Sequence, residues 1–234
     1  MLSKGLFHPT LTRQIFRVKY GLIFDLDGTL VDSLRGISGS LNHALSQSGL
    51  PNHPIETVRG FIGNGARLLI ERAASPAEGE DLYLTLEEAF KTHYDVSWPE
   101  GTAPYLEIVE MLEFLQTAGH PLAVLSNKPH EFTETIVKKL FPSVTFAAVL
   151  GQRAGIPHKP DPAGALEIAK VFGLDASQCA LIGDSTMDIE TAQNAGMASI
   201  AVTWGFQDHP RLVEARADLF AHSPAELLEI IGKL

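Results

Sequence analysis

The strongest chemical signal in the sequence is a pair of aspartates, Asp25 and Asp27, that follows a short apolar run. Residues 22–24 read as a buried strand of a parallel sheet, and ligands of open α/β sheets bind beyond the carboxyl ends of such strands. Strand alternation would send the two side chains to opposite faces, so both can face one ligand only if the chain turns at Gly28. Carboxylates about 4 Å apart repel each other by roughly 4 kcal/mol at an effective dielectric constant of about 20, and Mg²⁺ prefers oxygen ligands. The pair therefore indicates a divalent cation site, with a solvated acidic corner as the alternative.

A second pair of acids, Asp184 and Asp188, follows another apolar run at residues 180–182. Asp184 stands at the predicted strand end and Asp188 lies one turn into the next helix, which brings both carboxylates to the same edge of the sheet. The spacing predicts that they contribute to the same cation site. Helix capping through Asp184 or Ser185 is the alternative.

Two other segments carry groups that bind anions. Ser126 and Asn127 follow the apolar run 122–125 and precede a predicted helix, where a hydroxyl and backbone N–H groups form an anion cradle. A turn that caps the helix explains them equally well. Lys159 stands in a proline-rich loop before another helix, and a loop lysine is usually just solvated. Neither segment indicates a function on its own.

Taken in order, the four segments resemble the motifs of the haloacid dehalogenase-like hydrolase superfamily, in particular its phosphoglycolate phosphatase branch. They read D-x-D-G-T-L-V-D-S at 25–33, S-N-K-P at 126–129, K-P-x-P at 159–162 and G-D-x-x-x-D at 183–188. The resemblance covers residues 21–234. It has one departure, because that branch commonly has Pro-Gly after a tyrosine where this chain has Leu106-Glu107 after Tyr105.

The resemblance implies a Mg²⁺-dependent phosphatase that hydrolyses a small phosphate monoester through an aspartyl-phosphate. It assigns Asp25 as the nucleophile and Asp27 as the acid and base. Ser126 and Lys159 would bind the oxygens of the transferring phosphoryl group. The residues expected to assist them in holding the substrate are Gly28, Thr29 and Asn127.

The same resemblance implies that Mg²⁺ is held by Asp25, by the main-chain carbonyl of Asp27 and by Asp184. Asp188 would stand behind these ligands and act on the metal indirectly. Four ionised aspartates exceed the combined charge of Mg²⁺ and Lys159 by one. A protonated Asp27 would make the site neutral and would also suit the leaving alkoxide.

Periodicity predicts an α/β fold, a Rossmann-like parallel sheet core with an inserted all-helical cap domain. We divide the chain into an N-terminal extension at 1–19, a core at 20–32 and 104–234, and a helical cap at 33–103. The predicted strands that follow the cap are 121–125, 146–150, 180–182 and 199–202. The predicted helices that follow it are 107–118, 131–140, 163–172, 187–195 and 224–232.

A glycine-dense loop at 60–65 resembles the cap loop of the phosphoglycolate phosphatase branch and implies 2-phosphoglycolate as the substrate. We expect its backbone to approach a small carboxylate and Arg67 to pair with that carboxylate, with Arg59 as a weaker candidate. The loop residues expected to bind substrate are Gly63, Asn64 and Gly65. A helix-entry turn with solvated arginines is the alternative.

The composition of the chain limits the classes of partner that it can bind. With 45% hydrophobic residues, 20% charged residues and a net charge of −10, the 234-residue chain suits a globular protein and disfavours nucleic acid or an anionic membrane as a partner. An anionic metabolite must then be held by a local cationic site. The single cysteine excludes an internal disulfide and suits the cytoplasm. The basic stretch before residue 20 has no apolar core of the kind found in signal peptides. We expect the protein to be a monomer or a homodimer.

Other functional classes share some of these sequence features. A phosphosugar phosphatase or mutase of the same superfamily would use the same core motifs and stays open. Dehalogenases lack the second acid, and phosphonate hydrolysis needs a cap lysine, for which the late Lys91 is poorly placed. A receiver-like phospho-acceptor switch would gather similar residues but lacks a helical insert of this size. A dinucleotide-binding module would need a G-x-G-x-x-G after a strand, which the sequence does not contain.

Overall fold

The computed structural model describes residues 19–74 and 79–234. The predicted extension at 1–19 therefore lies outside the described residues except for its last one. Within the described ranges the strands are β1 Gly21–Phe24, β2 Val31–Asp32, β3 Ala103–Pro104, β4 Leu122–Pro129, β5 Ala148–Gln152, β6 Cys179–Gly183, β7 Ala198–Val202 and β8 Leu219–Ala221. The helices are α1 Leu34–Gln47, α2 Ile55–Arg59, α3 Gly65–Ala74, α4 Glu80–Ser97, α5 Ile108–Ala118, α6 His130–Leu140, α7 Ala163–Phe172, α8 Thr186–Ala195, α9 His209–Glu214 and α10 Pro224–Ile231.

In the described part of the chain, six strands form one parallel sheet in the order β5-β4-β1-β6-β7-β8. β1 is central, and its last residue, Phe24, lies opposite Val124 of β4 and Ile182 of β6. The three neighbouring strands are thus in register where β1 ends. This register brings the residues after Phe24, beyond Val124 and after Ile182 to one edge of the sheet.

Both faces of the sheet are covered by helices, which explains the continuous apolar runs of its central strands. Along β1, Leu22 and Phe24 belong to one core layer together with Leu112 of α5. Ile23 points to the opposite layer, where it packs with Ile168 of α7. Side chains of this size contribute roughly 1.5–3 kcal/mol each when fully buried. The predicted Rossmann-like α/β fold is confirmed.

The helices α1 to α4 lie between β2 and β3, and we call residues 33–102 the helical insert. β2 and β3 pair antiparallel, with Val31 opposite Pro104, so the insert leaves and rejoins the core at adjacent points. α1 packs along α4, and its buried stripe includes Ile37, Leu41 and Leu45. The helical character of this region is as predicted; the exact division into a core and a cap remains a prediction.

Some predicted boundaries are wrong. β4 does not end at Leu125 but continues to Pro129, with an irregularity in its pairing with β5 between those two residues. β5 is shifted to Ala148–Gln152, and no pattern in the sequence predicted β2, β3, α9 or β8. In contrast, α7 has its predicted bounds. None of the helices in the described ranges is both long and apolar enough to cross a membrane.

Candidate active site

Asp25 occupies the first position beyond β1 and is buried. Its backbone N–H donates to the Ile182 carbonyl at 2.9 Å, and its Oδ1 accepts the Leu26 N–H at 2.7 Å. The chain then turns through Gly28, whose φ of 88° is in the left-handed region. A Cβ at Gly28 would also collide with the Asp184 carboxylate. Glycine is therefore needed here both for the turn and for the approach of the second acid.

Lys159 reaches the same edge from its loop and is fully engaged there. Its Nζ lies 2.9 Å from Asp25 Oδ1 and 2.6 Å from Asp188 Oδ1, and it donates to the Leu125 carbonyl at 3.1 Å. These three acceptors match the three donors of an ammonium group. Burial lowers the pKa of Lys159, but Asp188 and Asp25 more than offset this and raise it above its usual range. Lys159 thus lies beside Asp25, and the catalytic roles assigned to the two residues remain predictions.

The side-chain amide of Asn127 binds the backbone of Lys159 and holds this residue in place. Its Oδ1 accepts the Lys159 N–H at 2.8 Å, and its Nδ2 donates to the Lys159 carbonyl at 3.2 Å. Nδ2 also donates to the Gly63 carbonyl at 3.1 Å, which connects the core to the helical insert. The residue therefore ties a loop, a strand and the insert together.

Asp25, Asp184 and Asp188 form a buried acidic cluster in which one carboxylate oxygen of each lies within 4.8 Å of the others. Burial and the neighbouring carboxylates raise the pKa of Asp184 to about 8. Burial likewise raises the pKa of Asp25 to about 7, against the opposing pull of Lys159. The three acids of the cluster thus carry more negative charge than Lys159 alone can balance, and their oxygen ligands fit a divalent cation such as Mg²⁺.

The two acids from the fourth motif are fixed by different neighbours. Asp184 accepts the Thr29 hydroxyl at 3.0 Å and the Phe206 N–H at 2.7 Å. Asp188 accepts the N–H and the hydroxyl of Ser185 at 3.1 and 2.6 Å, as a capping box at the start of α8. Ser185 therefore caps the helix, as the alternative interpretation predicted, and this is compatible with a functional role for Asp188, whose other oxygen binds Lys159. Sequence reasoning missed Phe206, for which no motif provided a signal.

The side chain of Asp27 lies apart from the acidic cluster. It accepts the Ser33 hydroxyl at 2.6 Å, and both of its oxygens accept from Lys128 Nζ, at 3.1 and 3.0 Å. Burial lowers the pKa of Lys128, but Asp27 and Tyr94 more than offset this and hold it above its usual range. With Lys128 counted, one Mg²⁺ ion and two lysines would balance the charge of all four aspartates, including an ionised Asp27. The predicted charge balance omitted this lysine.

A cleft separates these strand ends from the helical insert. The centre of a water molecule can reach only about 60 Å³ of it, so it suits a small ligand. Its floor is polar and its walls are mostly apolar. The lining residues are Asp25, Asp27, Ile37, Ile62, Gly63, Gly65, Ala66, Leu69, Phe90, Tyr94, Ser126, Asn127, Lys128, Pro129 and Phe132.

The predicted substrate residues are divided between this cleft and other places. Gly63, Gly65, Ser126 and Asn127 line it. The backbone N–H groups of Gly28 and Thr29 donate within their own turn, to the carbonyls of Val31 and Leu26 at 2.9 and 3.3 Å. Those groups already have protein acceptors.

Two predicted residues of the insert, Asn64 and Arg67, contact charged residues of the insert. Asn64 accepts a hydrogen bond from Arg72 at 2.8 Å. Arg67 lies 2.6 Å from Glu71 and 2.6 Å from Glu80, and neither it nor Asn64 belongs to the residues that line the cleft. The substrate-binding roles of these residues remain predictions.

Comparisons with known proteins agree with this geometry. The sequence profile of haloacid dehalogenase-like hydrolases matches residues 22–202. A phosphoglycolate phosphatase of Mesorhizobium japonicum is 35% identical over 217 residues, which cover 91% of this chain and 95% of that protein. One of Vibrio parahaemolyticus is 34% identical and covers 90% and 95%. The crystal structure of a predicted phosphoglycolate phosphatase from Haemophilus somnus superposes with a TM-score of 0.86 at 31% identity, covering 92% and 99% of the two chains.

Proposed function

The chain belongs to the haloacid dehalogenase-like hydrolase family, and from this premise we propose that it is a Mg²⁺-dependent phosphatase acting on 2-phosphoglycolate. The observation that carries the proposal is the contact of Lys159 with Asp25 and Asp188 beside Asp184, at the end of β1. The relatives named phosphoglycolate phosphatase align over nine-tenths of the chain and support the substrate. The small cleft is consistent with a small monoester.

Asp25 is the nucleophile in this proposal. Its Oδ1 receives both Lys159 and the Leu26 N–H, so we assign Oδ2 as the oxygen that attacks phosphorus. The new bond joins Oδ2 to phosphorus while the bond from phosphorus to the ester oxygen breaks, which gives an aspartyl-phosphate. The Ser126 hydroxyl donates to a phosphoryl oxygen. The positive charge of Lys159, whose donors stay with Asp25, Asp188 and the Leu125 carbonyl, offsets the negative charge of the phosphoryl oxygens.

Asp27 handles the proton. It begins each turnover protonated and donates this proton to the ester oxygen as that oxygen leaves with its electron pair. It later takes a proton from the water that hydrolyses the aspartyl-phosphate. Ser33 and Lys128 hold its carboxylate in one orientation between the two steps. The enzyme thus returns to its starting protonation state after each turnover.

Mg²⁺ would be held by Asp25, Asp184 and the main-chain carbonyl of Asp27, with Asp188 behind them. When bound, the ion supplies positive charge to the nucleophile and to the phosphoryl oxygens. Thr29 and Phe206 keep the Asp184 carboxylate turned toward Asp25. Asp188 orients Lys159 through its ion pair.

The location and assembly of the enzyme are proposed from composition alone. One cysteine in 234 residues suits a reducing compartment, and we place the enzyme in the cytoplasm. Cys179 is buried, and burial raises the pKa of its thiol to about 11, as expected of an inert core residue. We propose a monomer or homodimer.

The test is kcat/KM for a panel of phosphate esters in Mg²⁺ and again in EDTA. The panel contains 2-phosphoglycolate, glucose 1-phosphate, pyrophosphate and a nucleoside monophosphate. We expect 2-phosphoglycolate to lead by at least about tenfold, which is about 1.4 kcal/mol in transition-state binding, and EDTA to abolish turnover. A different leading ester would refute the substrate and leave the chemistry intact. No turnover of any ester, or no effect of EDTA, would refute the phosphatase itself.

A further inference from the structure

Lys128 is the one cationic side chain among the described residues that line the cleft. Lys159 lies behind the floor, and its three donors are all taken by Asp25, Asp188 and the Leu125 carbonyl. The net charge of −10 makes the general field of the protein repel anions. Lys128 is therefore the side-chain cation of this cleft that can bind a second negative group of the substrate, besides the phosphate.

The arginine predicted to bind such a group is engaged elsewhere. Arg67 forms ion pairs with Glu71 and Glu80, and its guanidinium lies 4.9 Å from the centre of the Tyr83 ring. These contacts fix the side chain on the surface of the insert, between α3 and α4. Binding a substrate carboxylate in the cleft would require Arg67 to leave two carboxylates in exchange for one.

The position of Lys128 is well suited to a second anion. Its Nζ bonds the Asp27 carboxylate and lies 4.6 Å from the centre of the Tyr94 ring in α4. An ammonium has three donors and one carboxylate accepts at most two of them, so Lys128 can bind another anion while it stays with Asp27. The apolar walls of the cleft, which include Ile62, Leu69 and Phe132, strengthen such a contact by excluding water.

We propose that Lys128 binds the carboxylate of the leaving group and thereby selects phosphate esters of α-hydroxy acids. This inference rests on the proposed function, in which Asp27 protonates the ester oxygen. Lys128 forms an ion pair with Asp27, and Asp27 contacts the ester oxygen. The Lys128 ammonium is therefore one hydrogen bond away from the carboxyl group that protonates this oxygen. In 2-phosphoglycolate a single carbon separates the ester oxygen from the carboxylate. When the ester oxygen of 2-phosphoglycolate contacts Asp27, the carboxylate of the substrate therefore lies next to Lys128.

The test compares 2-phosphoglycolate with 2-hydroxyethyl phosphate, in which an uncharged hydroxymethyl group replaces the carboxylate. We expect the wild type to prefer 2-phosphoglycolate in kcat/KM, and Lys128→Met to lose about tenfold to a hundredfold of that preference, as for a hydrogen bond between charged groups. Loss of the Asp27 ion pair slows both esters, so the ratio of the two isolates the carboxylate contact. Lys128→Arg, which keeps the charge, should retain most of the preference.

Lys91→Met is the matched control, because Lys91 lies on the same helix as Tyr94 but pairs with Glu87 outside the cleft. It should leave the preference unchanged. Equal losses on both esters in Lys128→Met would show that Lys128 only holds Asp27, and would overturn the inference while the phosphatase stands. A wild type without preference also overturns it, and this measurement does not depend on whether any variant folds. A wild type that hydrolyses neither ester refutes the proposed function and the inference with it.

Discussion

The two buried lysines of the site, Lys159 and Lys128, are held in different ways. Lys159 contacts two carboxylates and a carbonyl that all come from the sheet core. Lys128 contacts one carboxylate of the core and the Tyr94 ring of the helical insert. The contacts of the Lys159 ammonium thus come from the core alone, at the end of the site that carries Asp25, the proposed nucleophile. The end proposed to meet the leaving group is built from both parts, and there the insert can influence which ester is accepted.

The largest expected effect is at the core end. Asp25→Asn should lower kcat by at least about 10⁴-fold, because an amide oxygen does not form the covalent intermediate. Steady-state rates with 2-phosphoglycolate measure the loss, and circular dichroism checks the fold. Asp32→Asn is the matched control, because this aspartate of the same segment is exposed and accepts the Leu34 N–H. Near-normal turnover of Asp25→Asn would remove the nucleophile assignment.

A comparison of Lys159→Met with Lys128→Met tests whether the two lysines differ as described. Removing Lys159 leaves Asp25 and Asp188 buried without their cation, and should cost about 3–5 kcal/mol of unfolding free energy. Removing Lys128 leaves one carboxylate that keeps the Ser33 hydroxyl, and should cost about 1–3 kcal/mol. Urea unfolding in EDTA measures both. A greater loss for Lys128→Met would contradict the comparison.

The acidic cluster predicts a pH-dependent effect of Mg²⁺. The pKa of Asp25 is raised from 3.8 to about 7 and that of Asp184 from 3.8 to about 8. Carboxyl groups with raised pKa values stabilise the fold fully at low pH and lose that contribution as the pH rises toward the folded-state values. The unfolding free energy of the metal-free protein should therefore decrease as the pH rises from about 4 to about 8.

Mg²⁺ binds the ionised carboxylates and competes with protons. At about a hundredfold excess over its dissociation constant it should add about 2.7 kcal/mol at pH 8 and clearly less at pH 6. Thermal unfolding with and without Mg²⁺ at both pH values measures the difference. An equal shift in Tm at the two values would show that the acids do not form the metal site.

The smallest expected effect is at the insert end. Tyr94→Leu removes the ring that faces Lys128 and should lower kcat/KM by about twofold to thirtyfold, the range that corresponds to a cation–π contact of about 0.5–2 kcal/mol. Tyr94→Phe keeps the ring and is the control. If the two variants lose the same amount, the hydroxyl rather than the ring face is responsible.

Much of the core end could be predicted because its residues follow strands. Asp25 and Asp184 stand directly after β1 and β6, and parallel neighbouring strands end at one edge. The contact between Lys128 and Asp27 could not be predicted in this way. It joins residues 101 positions apart and depends on β4 continuing past its predicted end at Leu125.

The engagement of Arg67 carried a partial signal in the sequence. Glu71 lies four residues further on the same helix, a spacing at which opposite charges pair. Glu80 belongs to the next helix, and its approach depends on how α3 and α4 pack. Similarly, Phe206 reaches Asp184 from a loop with no motif, through a backbone N–H that any residue type carries.

The antiparallel pairing of β2 with β3 has a consequence for how such a chain can evolve. Because Val31 lies opposite Pro104, a segment of any length that starts and ends at this point leaves the register of the parallel sheet unchanged. The Gly36 N–H, which donates to the Gly101 carbonyl at 3.0 Å, extends this junction into the insert. Residues 33–102 can therefore be replaced or lengthened in evolution as one segment while the chemistry of the core beneath them stays the same.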